Sequence, residues 1–234
     1  IDFAARHGIE GVLAEGWNLG WETWATDKQN IQNFTKAYPD FDLKEVVRYA
    51  KEKNVQFISH HETGCNIPEY EKQMEEAFAL CKELGIQAVK TGYAGIVSPE
   101  GYHHHGQYMV RHFQKVVETA AKYHVMLDVH EGIKPTGLER TWPNLMSTEA
   151  IRGNETNGGY KATPPYHHTI LPFTRFIAGP ADFTPGIFNI IHSPESNRRL
   201  YCTLSNQMAL FVVMYSPMMM VSDMIENYEN HPAF

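Results

Sequence analysis

Carboxylate and imidazole side chains recur where short apolar runs of this sequence end. "GVLAEGW" closes around Glu15, "FISHHE" on His60, His61 and Glu62, and "MLDVHE" on His130 and Glu131, with Asp128 a little earlier; farther on, "TEAIRGNE" carries Glu149 and Glu155. If these ends converge, several carboxylates and two or three imidazoles share one polar pit. Ionised carboxylates that close together repel, so some must be protonated or bound to a cation. Two kinds of chemistry fit. One is an oxygen-rich metal site suited to Ca²⁺. The other is paired acid/base work, with one carboxyl held protonated and another ionised; glycoside hydrolysis needs such a pair on opposite sides of the scissile bond. Trp17, Trp21, Tyr93 and Trp142 are candidate faces for stacking a sugar. Taken singly, an acid after a strand reads as a helix N-cap or a salt-bridged surface group. Asp128 is expected to be structural, and the run His103–His105, after Pro99 and Gly101, is expected in a solvated loop rather than at a metal.

Elements of two kinds must position these groups. The apolar runs "EGVLAE", "VQFISHHE", "QAVKTG" and "HVMLDVHE" read as buried parallel strands. Helix-period segments lie between them. Leu43, Val46, Val47 and Ala50 form one stripe behind Asp42, a candidate N-cap; Tyr70, Met74, Ala77, Cys81 and Leu84 form a second, closed by Gly85. Met109, Phe113, Val116, Ala120 and Tyr123 form a third. Strand alternating with helix predicts an α/β fold with a helix-covered parallel sheet. No GxGxxG turn follows the first strand, and polar residues gather at the C-terminal ends of several strands. Both features favour a (β/α)8 TIM barrel over an open doubly wound sheet. Further strands are expected near 145–148, 176–178 and 214–215, with a helix over "RRLYCTLSNQMALFVV". That makes seven strands, so the barrel's first strand is expected upstream of Ile1, and 1–234 is read as one partial barrel domain. The Pro-, Gly- and Thr-rich stretch from 135 to 173 reads as a long, functional insertion.

Bulk properties narrow the class. The chain has 234 residues, 43% of them hydrophobic, and a net charge of −7. That supports a sizeable core and gives no basic footprint for nucleic acid. No run approaches the ~20 apolar residues of a membrane span. Cys65, Cys81 and Cys202 form no CxxC pair and read as buried small apolar side chains.

The strings "GVLAEGWNLGWE", "HHETG", "VKTGYAG", "DVHEGIKPTGLERTWPN", "EAIRGNE", "ILPFTRFIAGPADFTPGIF" and "YSPMMM" run along nearly the whole chain in order. Together they resemble the catalytic barrel of glycoside hydrolase family 97. The resemblance implies an exo-acting α-glycosidase, a bacterial enzyme that is periplasmic or secreted and acts on α-linked oligosaccharides. It implies one Ca²⁺, held within the barrel by Glu131, Glu149 and Glu155 and completed by an upstream β-sandwich domain that this sequence lacks. It makes Glu155 the general acid, its pKa expected to be raised by neighbouring carboxylates, and Glu62 and Glu131 the pair that holds the attacking water. His60 and His130, with Lys90 as a weaker candidate, match positions that bind substrate hydroxyls.

One strand departs from the pattern. "QAVKTGYAG" delivers Gly92 where retaining members of the family carry an aspartate nucleophile. Without that carboxylate the sequence points to a calcium-dependent inverting α-glucosidase. The alternatives are a retaining α-galactosidase of the same family, a non-catalytic carbohydrate-binding remnant, or an unrelated metal-dependent barrel such as a sugar isomerase.

Overall fold

The computed structural model describes residues 1–23, 32–157, 163–191, 199–221 and 223–234. They form two compact units: Ile1–Lys134 with Leu138–Leu145, and Pro135–Gly137 with Met146–Phe234.

The first unit is the strand–helix alternation that the sequence periodicity predicts. Helix α1 (Asp2–His7) leads into β1 (Gly11–Leu13), α2 (Leu43–Glu52), β2 (Gln56–Glu62), α3 (Ile67–Leu84), β3 (Ala88–Gly92), α4 (Gln107–Lys122) and β4 (Met126–Val129). Each neighbouring pair of strands is parallel, and with β5 (Leu145–Thr148) the sheet order is β1-β2-β3-β4-β5. The fold is therefore α/β, and among the described residues the sheet is open at β1 and β5.

Helix boundaries follow local chemistry. Asp42 caps α2 by accepting from the Glu45 N–H at 3.0 Å. Gly85 ends α3 at φ 78°, a left-handed conformation that costs glycine little. The apolar stripes bury as expected: Leu43, Val47 and Ala50 from α2, Tyr70, Met74, Ala77, Phe78 and Cys81 from α3, and Met109, Phe113, Val116 and Ala120 from α4 all join one cluster with Val89, Leu127 and Val129 of the strands. Full burial of a side chain such as Phe78 is worth about 2–3 kcal/mol. The cysteines are unpaired, Cys65 and Cys81 buried and Cys202 half-buried.

The second unit is less regular, and two expectations fail there. Residues 176–178 belong to a 3-10 helix, Arg175–Ala178, rather than a strand. Met214 and Tyr215 are not a strand either, because Met214 is the C-cap of α6 (Leu204–Val213), which follows the short helix α5 (Tyr166–Ile170). Helix α6 starts later than expected because the Thr203 side chain caps it, accepting from the Asn206 N–H; Arg198, where the expected helix began, lies outside the described residues. The 135–173 stretch carries β5, α5 and three short 3-10 turns, with 158–162 outside the described residues. A small core of Leu171, Phe183, Leu210 and Met214 holds the unit together.

Candidate active site

Strand register decides which acids face the site side of the sheet. Side chains alternate along a strand, and residues in register on parallel strands share a face. His60 pairs with Lys90, and Lys90 with Asp128; one step further on, Glu62 pairs with Gly92. His60, Lys90 and Asp128 thus form one row, and Glu62 and Gly92 begin the next. The opposite face meets the helices. His61 points there, fully buried, with Nδ1 3.1 Å from the Tyr70 hydroxyl and its ring against Phe34 and Phe78. Burial pushes the His61 imidazole down to about 3, so it is a neutral core residue.

The first row carries one close ion pair. Lys90 Nζ lies 2.6 Å from Glu15 Oε1. Burial is the largest single influence and would raise the Glu15 carboxyl, but the charge and hydrogen bond of Lys90, with smaller pulls from His60 and His130, together outweigh it and the pKa is lowered. Glu15 is therefore the partner of Lys90 rather than a free acid. His60 is held down to about 3, mainly by burial, and the Trp21 ring meets it edge-on at 5.2 Å. His130 Nε2 lies 3.5 Å from Asp128 Oδ2. Both residues are buried.

The second row holds the pair assigned to water activation. Glu62 Oε1 accepts from the Gly64 N–H at 2.9 Å and from the Ala94 N–H at 3.2 Å. Glu131 Oε2 accepts from the Tyr93 N–H at 2.8 Å. Two consecutive amides just past β3 thus grip two different glutamates. Glu62 is 5% exposed, and burial, with a further push from the Glu131 charge, raises its carboxyl to about 7. A carboxylate poised near neutrality suits a general base. The raised pKa of Glu62 comes from its burial beside a second carboxylate; Glu155, the general acid expected from the family resemblance, is exposed.

Gly92 has a steric reason. A Cβ built there would lie 2.0 Å from Glu62 Oε2 and 2.8 Å from Glu62 Cδ. The Glu62 carboxylate fills the space that a side chain at 92 would need.

In the second unit, Glu149 is buried and Glu155 exposed. Their carboxylate oxygens lie within 4.8 Å of each other. Two hard oxygen donors at that spacing fit a share of a Ca²⁺ site. Glu155 sits on the 3-10 turn Asn154–Asn157, which an amide network anchors. Asn154 Nδ2 donates to Gln207 Oε1 at 3.1 Å, which also accepts from the Gly186 and Ile187 N–H groups, and Asn157 Nδ2 donates to Asn154 Oδ1 at 2.9 Å.

The aromatic candidates divide. Trp17 is core, its indole N–H donating to Ser59 Oγ at 3.1 Å, and Tyr93 is 1% exposed. Neither can stack a sugar. Trp142 packs against the core cluster, and Trp21 keeps a half-buried ring beside His60. Sequence reasoning missed the Tyr93 and Ala94 amides, since a backbone donor has no residue-type signature. It also missed Gln207, a fully buried amide on α6, and His104, which points inward between exposed His103 and His105.

Known proteins bear on this arrangement. A family model described as Glycoside hydrolase 97 matches residues 1–151. A retaining alpha-galactosidase of Bacteroides thetaiotaomicron is 30% identical over 242 residues, covering 99% of this chain and 33% of that protein. A probable retaining alpha-galactosidase of Streptomyces bingchenggensis is 26% identical, with 99% and 33% covered. A family 97 enzyme from Pseudoalteromonas sp. strain K8, solved with acarbose, superposes with a TM-score of 0.90 at 42% identity, over 99% of this chain and 37% of that one. A variant of that enzyme solved with panose gives 0.91 at 41% identity. The chain therefore spans about a third of the length of the relatives it matches. With the family model covering well over half of its residues, this chain belongs to glycoside hydrolase family 97.

Proposed function

We propose that the chain is the catalytic portion of a calcium-dependent, inverting, exo-acting α-glucosidase that hydrolyses terminal α-glucosyl residues of oligosaccharides. One observation carries the stereochemical part: the Glu62 carboxylate lies where any side chain at position 92 would have to go. The tip of β3 then supplies amides and no nucleophile. Glu62 and Glu131 hold a water against the anomeric carbon, and Glu155 faces the glycosidic oxygen from the other side. As the water oxygen bonds to the carbon, its proton passes to the glutamate pair. The carbon–oxygen bond breaks, and the leaving oxygen takes the Glu155 proton. Inversion requires about 6.5–9.5 Å between acid and base to admit the water. His60 and His130 bind substrate hydroxyls, and Lys90 is a weaker candidate because Glu15 already engages its ammonium.

Glu131, Glu149 and Glu155 are the residues of this chain that would hold Ca²⁺, completed by a ligand from an upstream β-sandwich domain. The ion's chemistry is to orient the carboxylates and polarise the substrate. The family resemblance supports a periplasmic or secreted bacterial enzyme. Among the described residues no helix is long and apolar enough to cross a membrane.

Acarbose and panose bound to the relative at 41–42% identity support the glucosidase reading. A second reading, a retaining α-galactosidase, has the names of the relatives at 30% and 26% identity behind it. NMR of the first-formed anomer from α-glucosyl and α-galactosyl substrates separates the two. The β-anomer of glucose is expected; an α-anomer as first product would sink the inverting reading.

A further inference from the structure

Glu131 has an unusual backbone. It follows β4 at φ 45°, a left-handed conformation that a non-glycine residue adopts only at a cost of about 1–3 kcal/mol. Neighbouring groups must impose it. On the strand side, the His130 N–H donates to the Thr91 carbonyl at 2.8 Å, the last ladder bond before the turn. On the side-chain side, the Tyr93 N–H holds Oε2. The backbone carbonyl of Glu131 is held by a third group, Nε2 of His104, in a short hydrogen bond.

A carbonyl oxygen only accepts, so Nε2 carries the imidazole proton and Nδ1 is left as an acceptor. Nδ1 lies 3.7 Å from Cys65 Sγ, and the thiol is the matching donor. Cys65 is itself fixed: its N–H donates to Thr63 Oγ1 at 3.1 Å, and its carbonyl accepts from the Ser98 N–H at 2.9 Å. Thr63 in turn donates through both N–H and Oγ1 to the Gly92 carbonyl, each at 2.9 Å. His104 therefore ties the turn carrying Glu131 to the segment that follows Glu62, by way of a loop belonging to neither strand.

We propose that His104 is a positioning residue for water activation. Its Nε2–H fixes the left-handed backbone of Glu131 and so aims that carboxylate at the water shared with Glu62. The inference rests on the reading of Glu62 and Glu131 given above, and extends it to a residue that touches neither water nor sugar.

The test is a double-mutant cycle in the full-length protein, read on α-glucosyl fluoride, whose leaving group needs little protonation. H104L should lower kcat roughly 10- to 100-fold with KM within about twofold, the loss expected for a small misplacement of a reacting group. H104Q, whose amide N–H reaches as far as Nε2–H, should stay within about threefold of wild type. In an E131Q background, H104L should cost no more than about twofold, because its effect runs through that carboxylate. Wild-type kcat in H104L, an equal loss with and without the Glu131 carboxylate, or a loss in H104Q as large as in H104L overturns the proposal. If H104L does not fold, H104N, whose shorter amide cannot span the gap, takes its place under the same criteria. Full activity in E131Q would instead overturn the assignment of Glu131, and the role of His104 with it.

Discussion

Two regions of the molecule solve one problem, holding a carboxylate still, by different means. In the first unit, strand register does it. Glu62 and Glu131 stand at the ends of hydrogen-bonded strands and are gripped by main-chain amides of the neighbouring strand's exit. In the second unit, Glu155 stands on a single 3-10 turn held by side-chain amides of Asn154, Asn157 and Gln207. Main-chain anchoring ties the geometry to the fold and tolerates most changes of residue type nearby. Side-chain anchoring ties it to a few particular residues.

Substitutions can break that comparison at points of decreasing effect. E155Q removes the proposed acid and should lower kcat on an unactivated α-glucoside by about 10²–10⁴-fold, with a much smaller loss on α-glucosyl fluoride. An equal loss on both substrates would count against an acid role.

G92A should separate activity from stability. Gly92 is not in the left-handed region, and the three heavy atoms nearest its new Cβ all belong to the Glu62 carboxyl, the far end of a flexible side chain. Displacing that carboxyl should lower kcat about 100-fold, as expected for a misplaced base, while Tm changes by only a few degrees. A G92A enzyme of wild-type kcat would show that Glu62 does no chemistry from its present position.

Q207L addresses the side-chain anchor. It removes the acceptor shared by Asn154 Nδ2 and the Gly186 and Ile187 N–H groups. Three donors left without it should cost about 2–4 kcal/mol in denaturant unfolding, with activity falling alongside, unlike G92A.

Glu62 also makes a pH prediction. Its carboxyl sits at about 7 against an ordinary value of 4.5, so between those values the native state keeps a proton that the unfolded chain has released. Stability must then fall as pH rises through that window. In chelator-treated protein, wild type should lose on the order of 3 kcal/mol relative to E62Q between pH 4.5 and pH 8. A constant difference between the two across that range would contradict the burial assigned to Glu62. Smallest of all, D42A removes one helix cap in the first unit and should cost about 1 kcal/mol without touching kcat.

The same contrast explains what the sequence made legible. The stripes of α2, α3 and α4 announce themselves by period, because each helix buries one face, and the four runs leading to β1–β4 by their continuous apolar character between those helices. Glu62, Glu131 and Glu155 were singled out by their place at the ends of runs and within family strings. The two strands expected in the second unit were misread because short apolar runs such as Phe176–Ala178 carry no period that separates a strand from a 3-10 turn. Tyr93 looked like a sugar platform because its type suits one. Strand alternation instead turns its ring to the helix side, where its hydroxyl meets His112 Nε2 at 3.1 Å, and leaves only its amide to the site. His104 was hidden in a run of three similar residues, and only the loop's path shows which one turns inward.

Gly92 and Glu62 also bear on how such a site can change over time. With an oxygen of one residue 2.0 Å from the first side-chain atom the other could acquire, the two positions act as a single seat with one occupant. Moving the carboxylate from the end of β2 to the end of β3 means turning the Glu62 carboxyl aside or replacing it, so a change at 92 alone disturbs the acid already in place. On the proposed roles, a working change of stereochemical outcome exchanges the residues at 62 and 92 together.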